Sequence, residues 1–177
     1  MRPHYRYRKL KIREITVFAM LGAIMLVSKI VMEGIPNLHL LGTFVVAFTL
    51  TYRAKALFPI YTYVFANGLW EGFSPFGWLP ELYLWLILWG AVMLLPRNMP
   101  RVIAPIVYML VSGLHGLFFG VFYAPVYALF AGMGWDRVWL WVLAGLPFDL
   151  IHGIGNFALG TLIVPMVTLL RRLNRKI

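Results

Sequence analysis

The chain has 177 residues, 62% of them hydrophobic and only 12% charged, with a mean hydropathy of +0.81. A soluble domain carries about 25% charged residues, so this composition excludes an ordinary water-soluble fold and calls for lipid around the outer surface. The net charge of +10 does not point to nucleic acid. Fourteen of the sixteen Lys and Arg residues fall in four short clusters, at residues 2–13, 53–55, 97–101 and 171–176, with long apolar stretches between them. Lys29 and Arg137 are the exceptions. Cations beside membrane spans mark the cytoplasmic face, where they meet anionic lipid. No cysteine is present, which excludes disulfides and thiolate metal sites.

In chain order, residues 1–13 read as a basic cytoplasmic terminus. The apolar run behind them has no small-residue cleavage site, so it reads as a retained first span and not a signal peptide. A helical span takes about 20 residues. Arg13 and Arg53 enclose 39 residues, enough for an out-and-back pair that turns at Glu33-Gly34-Ile35-Pro36-Asn37. Lys55 and Arg97 enclose 41, a second pair that turns at Gly72-Phe73-Ser74-Pro75-Phe76-Gly77. Gly and Pro favour breaks at both turns. Spans two and three, near residues 39–51 and 56–69, are short for full crossings. Arg101 and Arg171 enclose 69 residues, two spans with a surplus that predicts a long outer connection near residues 123–146. Residues 171–177 form a basic cytoplasmic end. The expectation is an all-α integral membrane protein of one domain: a six-helix bundle over residues 14–170 with both termini cytoplasmic. Glu33, Glu71, Glu81 and Asp136 then lie on the outer side, together with a crowd of rings that includes Trp70, Trp78, Tyr83, Trp85, Trp135, Trp139 and Trp141. Such rings form interfacial belts or line ligand pockets.

Three places carry chemistry. On span one, Ala19 and Ala23 share a helix face, and Gly22 widens the smooth strip. Small residues at this spacing admit a second helix, inside the bundle or from a partner. In span five, Ser112 lies three residues before His115, a weak signal for an intramembrane hydrolase. In the last span, Leu146-Pro147-Phe148-Asp149 reads as a helix start. Asp149, His152 and Asn156 then follow at steps of three and four along one face. Polar groups inside a span are costly and point to function, or to a network with Asp149 bonded to His152 or His115. The chain has no P-loop motif, no H-E-x-x-H and no dense acid cluster, so it has no recognisable ATP site.

Length, topology, the Ala19/Ala23 strip and two segments, residues 35–42 and 147–157, together resemble the substrate-binding S component of energy-coupling factor (ECF) vitamin transporters. The resemblance implies a non-enzymatic subunit of an ABC-type importer in a prokaryotic plasma membrane. Such a subunit captures a vitamin or related micronutrient outside and topples to deliver it inward. Its partners would be a transmembrane T component and two cytoplasmic ATPases, with ATP used only by the partners and no cofactor of its own. Ala19, Gly22 and Ala23 would form the partner interface, and Ile35, Pro36 and Asn37 a gate. By position, the substrate site would draw on Asn67, Trp70, Glu71, Trp78, Glu81, Tyr83, Trp85, His115, Asp149, His152 and Asn156. Residues 1–4, Met-Arg-Pro-His, lie on the inner side in this topology and lack the Met-His start of metal-carrying relatives, so metal is not expected. The outward acids lean toward a cationic or donor-rich ligand. Thiamine-like, pyridoxine-like, queuosine-precursor and corrinoid ligands are not separated. The rival readings are a hydrolase using Ser112/His115 or Asp149/His152, and a non-catalytic accessory protein.

Overall fold

The computed structural model describes residues 11–35 and 37–174. The parts of the terminal basic clusters at residues 2–9 and 175–176, and Pro36 of the expected gate, lie outside the described residues. Among the described residues eight α-helices run in order: α1 (Ile12–Met32), α2 (Leu41–Tyr52), α3 (Leu57–Glu71), α4 (Trp78–Leu94), α5 (Ile103–Leu117), α6 (Phe119–Ala131), α7 (Trp135–Leu159) and α8 (Ile163–Asn174). Short 3-10 turns, Arg53–Ala56 and Gly160–Leu162, link α2 to α3 and α7 to α8. Arg53 takes φ +56° where the chain reverses between α2 and α3.

The polarity of the molecule is inverted. Large apolar side chains such as Val31, Leu94, Val102, Leu129 and Leu140 cover the outside, whereas Thr43, Asn67, Ser112, His115, Asp149, His152 and Asn156 are buried. At the centre is α2, with every residue from 41 to 49 buried. A helix that is apolar all round belongs inside. Val45, Val46 and Phe48 of α2 meet Ile60 and Tyr63 of α3, Leu88 of α4 and Ile163 of α8, all fully out of solvent.

The expectation of six membrane-spanning helices is overturned. Among the described residues, three helices are long and apolar enough to cross a membrane: Ile12–Met32, the continuous α5–α6 run Ile103–Ala131, and the α7–α8 run Trp135–Asn174. Counting residues between basic clusters cannot tell a spanning helix from a short core helix. With 12 residues, α2 is roughly 18 Å long at 1.5 Å per residue, against a hydrocarbon core of about 30 Å. Neither α3, with 15 residues, nor α4, with 17, reaches the necessary length. The argument that an even count puts both termini on the cytoplasmic side falls with the count of six.

Two further expectations change. The surplus near residues 123–146 is not a long loop. It is helix, in α6 and the first half of α7, and only residues 132–134 connect the two. Gly132 closes α6 in the left-handed conformation, φ +63°, where glycine is at no disadvantage. Pro147 does not start a helix either; it lies inside α7.

The turns at residues 33–37 and 72–77 do fall between helices. The helices also gather charge at opposite ends. Lys55 bonds Glu14 at the start of α1 (2.5 Å), Arg53 Nη2 donates to the Met93 carbonyl at the end of α4 (2.9 Å), and Arg171 Nη2 donates to the Leu50 carbonyl (3.3 Å). At the other end, Lys29 of α1 meets Asn67 and Glu71 of α3. The helices α1 and α3 therefore run parallel and are tied at both ends.

Candidate functional site

Seven buried side-chain polar atoms have no hydrogen-bond partner among the described residues, and six of them are His39 Nδ1, Trp85 Nε1, Ser112 Oγ, His115 Nδ1, His152 Nε2 and Asn156 Oδ1. The seventh, Arg53 Nε, is at the basic end. The six form one neighbourhood. The His39 ring lies 4.7 Å from that of His152 and 6.4 Å from that of Trp85, meeting both edge to face. Trp85 is 5.8 Å from His115, and Phe119 bridges His115 and His152 at 6.3 and 4.8 Å. Tyr63 closes on Trp85 at 6.2 Å.

Helical spacing explains the assembly. Ser112 and His115 are three apart on α5, and His152 and Asn156 are four apart on α7, so each pair shares a face. Glycines let these faces approach. A Cβ on Gly116 would sit 2.8 Å from Asn156 Nδ2 and 2.9 Å from the His152 carbonyl oxygen, and one on Gly42 would sit 3.0 Å from Ser112 Oγ. Any side chain at Gly116 would force α5 and α7 apart. From α4 comes Trp85, and from the 33–40 connection comes His39. Next to it, Leu38 covers Gly155, and Asn37 turns the connection with φ +58°.

Leaving a buried polar group unpaired costs about 1–3 kcal/mol. Six such atoms together rival the whole stability of a domain, about 5–15 kcal/mol. The group His115 Nε2 lies 3.0 Å from the Leu84 carbonyl. A carbonyl can only accept, so Nε2 carries the proton, and Nδ1 of the neutral ring is an acceptor. Trp85 Nε1 is a donor only, Asn156 Oδ1 an acceptor, and the Ser112 hydroxyl is either. The arrangement offers both kinds of hydrogen bond to a guest, within a wall of aromatic rings.

The acids expected in the site are engaged elsewhere. Both carboxylate oxygens of Asp149 accept from the Gly120 N–H, at 3.1 and 3.2 Å, in the first turn of α6. This caps the helix that restarts after Phe118, and Asp149 bonds neither His152 nor His115. Glu81 accepts from Tyr63 Oη at 3.0 Å and from Asn67 Nδ2 at 3.2 Å; Asn67 Nδ2 also donates to Glu71 at 3.2 Å. Lys29 pairs with Glu71 and donates to Asn67 Oδ1 at 3.0 Å. In place of outward acids facing a cationic ligand, the structure has a histidine-rich cluster beside a self-contained charge network.

Of the remaining expected site residues, Trp85, His115, His152 and Asn156 meet in the cluster. Trp78 donates to the Val64 carbonyl at 2.7 Å and Tyr83 to the Phe122 carbonyl at 2.6 Å, both tying helices together. Trp70 is 60% exposed. Ile35 is exposed, and Asn37 is half-buried in the covering connection. Sequence reasoning gave no site role to His39, Tyr63 or Lys29. A lone histidine or lysine near a turn carries no spacing signal, and only the fold gives these three partners. The expected interface divides: Ala19 and Ala23 are exposed, but Gly22 is buried against α3. The two hydrolase pairings do not form, since neither Ser112 with His115 nor Asp149 with His152 is hydrogen-bonded. Among the described residues, no three His, Asp or Glu side chains are placed to share a metal ion.

Fold and site together define an all-α, multi-pass membrane protein whose interior holds a buried polar cluster. No protein-family model, no curated protein and no solved structure matches the chain.

Proposed function

We propose that the protein is the substrate-binding subunit of an energy-coupling-factor type importer in a prokaryotic plasma membrane. In this reading it captures a small micronutrient and is not itself an enzyme. A T component and two ATPases move the substrate inward by driving the subunit to topple. The observation that carries the reading is the concentration of six unpartnered polar atoms in one aromatic-walled neighbourhood of an otherwise apolar bundle. Among the described residues no group compensates their cost, whereas a ligand with matching donors and acceptors would.

Two points support it. The segments that resemble S components, residues 35–42 and 147–157, are far apart in sequence, yet His39 and His152 from them lie 4.7 Å apart. The Ala19/Ala23 face is exposed on α1, where a smooth strip suits a close-packed partner helix.

Native mass spectrometry of the purified protein is the direct test. A retained molecule of vitamin size, and recovery of a T component with two ATPases from a gentle membrane extract, is the expected result. Replacing Ala23 with Trp should abolish uptake and leave ligand binding intact. Uptake that survives Ala23→Trp removes the partner interface from this reading. The absence of both ligand and energising subunits from the extract overturns it.

A further inference from the structure

The cluster has no ionised side chain at its centre. Its polar atoms belong to imidazoles, an indole, a hydroxyl and an amide. The acids of the neighbourhood are already matched, Asp149 by the Gly120 amide, Glu71 by Lys29, and Glu81 by the Tyr63 hydroxyl and the Asn67 amide. A charged guest would find no counter-ion, and burying an unpaired charge is far more costly than burying a neutral polar group. The walls are flat: Trp85, Tyr63, Phe119, His115 and His152 present rings at several angles.

One of the rings differs from the others in origin. His39 alone comes from a connection rather than a helix. Its imidazole inserts between Trp85 and His152, at 6.4 and 4.7 Å, and its Nδ1 finds no partner there. The ring fits by shape without completing the hydrogen bonds around it. It stands two residues before the start of α2 at Leu41.

Resting on the substrate-binding reading above, we infer that the site takes a small, uncharged, planar nitrogen heterocycle, and that the His39 imidazole stands where that ring binds. The incoming ring displaces the His39 imidazole. Its ring nitrogens and carbonyl or amino substituents then complete the bonds that His39 leaves open: acceptors toward Trp85 Nε1, donors toward His115 Nδ1 and Asn156 Oδ1. The aromatic faces vacated by the imidazole stack on the guest.

A matched series separates charge from shape. Nicotinamide, nicotinate and 1-methylnicotinamide share one ring and carry no charge, a negative charge and a positive charge; hypoxanthine adds a second neutral ring. Binding is measured by isothermal titration on the purified full-length chain. Nicotinamide or hypoxanthine should bind, and the two charged analogues should bind at least about tenfold more weakly, a factor equal to 1.4 kcal/mol. His39→Ala removes the competing ring and should tighten binding of the neutral probe by about threefold or more, while His39→Phe, which keeps a ring there, should weaken it. Opposite effects of the two variants are not explained by misfolding. Equal or tighter binding of either charged analogue overturns the inference, as does a His39→Ala variant that binds more weakly. If all four probes fail while native mass spectrometry finds another retained small molecule, the heterocycle assignment falls and the substrate-binding reading stands. If no small molecule of any kind is retained and no T component is recovered, the reading itself falls and the inference with it.

Discussion

Lys29 of α1 donates to Asn67 Oδ1 of α3 at 3.0 Å and pairs with Glu71 one turn further on. It is the cation of a network that runs through Asn67 to Glu81 and Tyr63. Removing it leaves two carboxylates close together without a counter-charge. The pair is partly solvated, 22% and 39% exposed, so its own worth is modest, about 1 kcal/mol or less. The expected effect of Lys29→Met is a lower unfolding temperature in detergent, largely restored when Glu71→Gln is added. A double-mutant cycle with no coupling between the two positions shows that the pair does not hold α1 to α3.

Gly22 and Ala23 are neighbours with opposite surroundings. A Cβ at Gly22 would lie 2.7 Å from Thr62 Cβ and 2.9 Å from the Pro59 carbonyl oxygen, whereas Ala23 is exposed. Overpacking a close contact costs about 1–3 kcal/mol. Gly22→Leu should lower stability by that amount, and Ala23→Leu should leave thermal unfolding within about 0.5 kcal/mol. Equal loss in the two variants contradicts the packing of α1 on α3 through Gly22.

Asp149 caps α6 through Gly120 and stands apart from the histidine cluster. Losing an N-terminal cap costs about 0.5–2 kcal/mol. Asp149→Ala is expected to reduce stability by this amount, with Asn restoring part of it, while ligand affinity stays within about twofold. A loss of binding larger than the loss of stability accounts for would return Asp149 to the binding site.

His39 lies in the connection outside the helices, and burial pushes its imidazole from the usual 6.5 down to about 4, with the neighbouring His115 and Lys29 acting in the same direction and its backbone hydrogen bond opposing. In the unfolded chain the ring titrates near its usual value. Between the two values the unfolded state binds more protons, so stability rises with pH. The contribution of the neutral ring is complete above about 6.5 and is lost as pH drops toward 4. The unfolding temperature should therefore decline from pH 7 to pH 5, and His39→Gln should flatten that slope. An unchanged slope in the variant assigns the titration to other groups.

Much of this arrangement is legible along the chain. The turns at residues 33–37 and 72–77 announce themselves through Gly and Pro, and the 3.6-residue period puts Ser112 with His115 and His152 with Asn156. The surplus between Arg101 and Arg171 is legible only as a length. Whether it forms a loop or extends helices depends on packing: α6 folds back over α7, with Val138 and Val142 buried against Ala124 and Ala128. Pro147 misleads for a related reason. A proline signals a helix start only where the preceding residues are not already helical, and tertiary contacts hold residues 135–146 in helix.

Composition alone determined that this is a membrane protein, because 62% hydrophobic residues cannot be buried within 177 residues and must face lipid. The internal basic clusters marked two of the places where the chain turns, residues 53–55 between α2 and α3 and residues 97–101 between α4 and α5, since charge is costly in hydrocarbon. The tertiary structure decided the rest. It made α2 a core helix too short to span, split Gly22 from Ala19 and Ala23, matched the acids with Lys29 and the Gly120 amide, and brought His39 onto His152. Solvent preference is a property of each residue and can be summed along a sequence. Partnership is a property of pairs distant in the chain, and it exists only once the helices have packed.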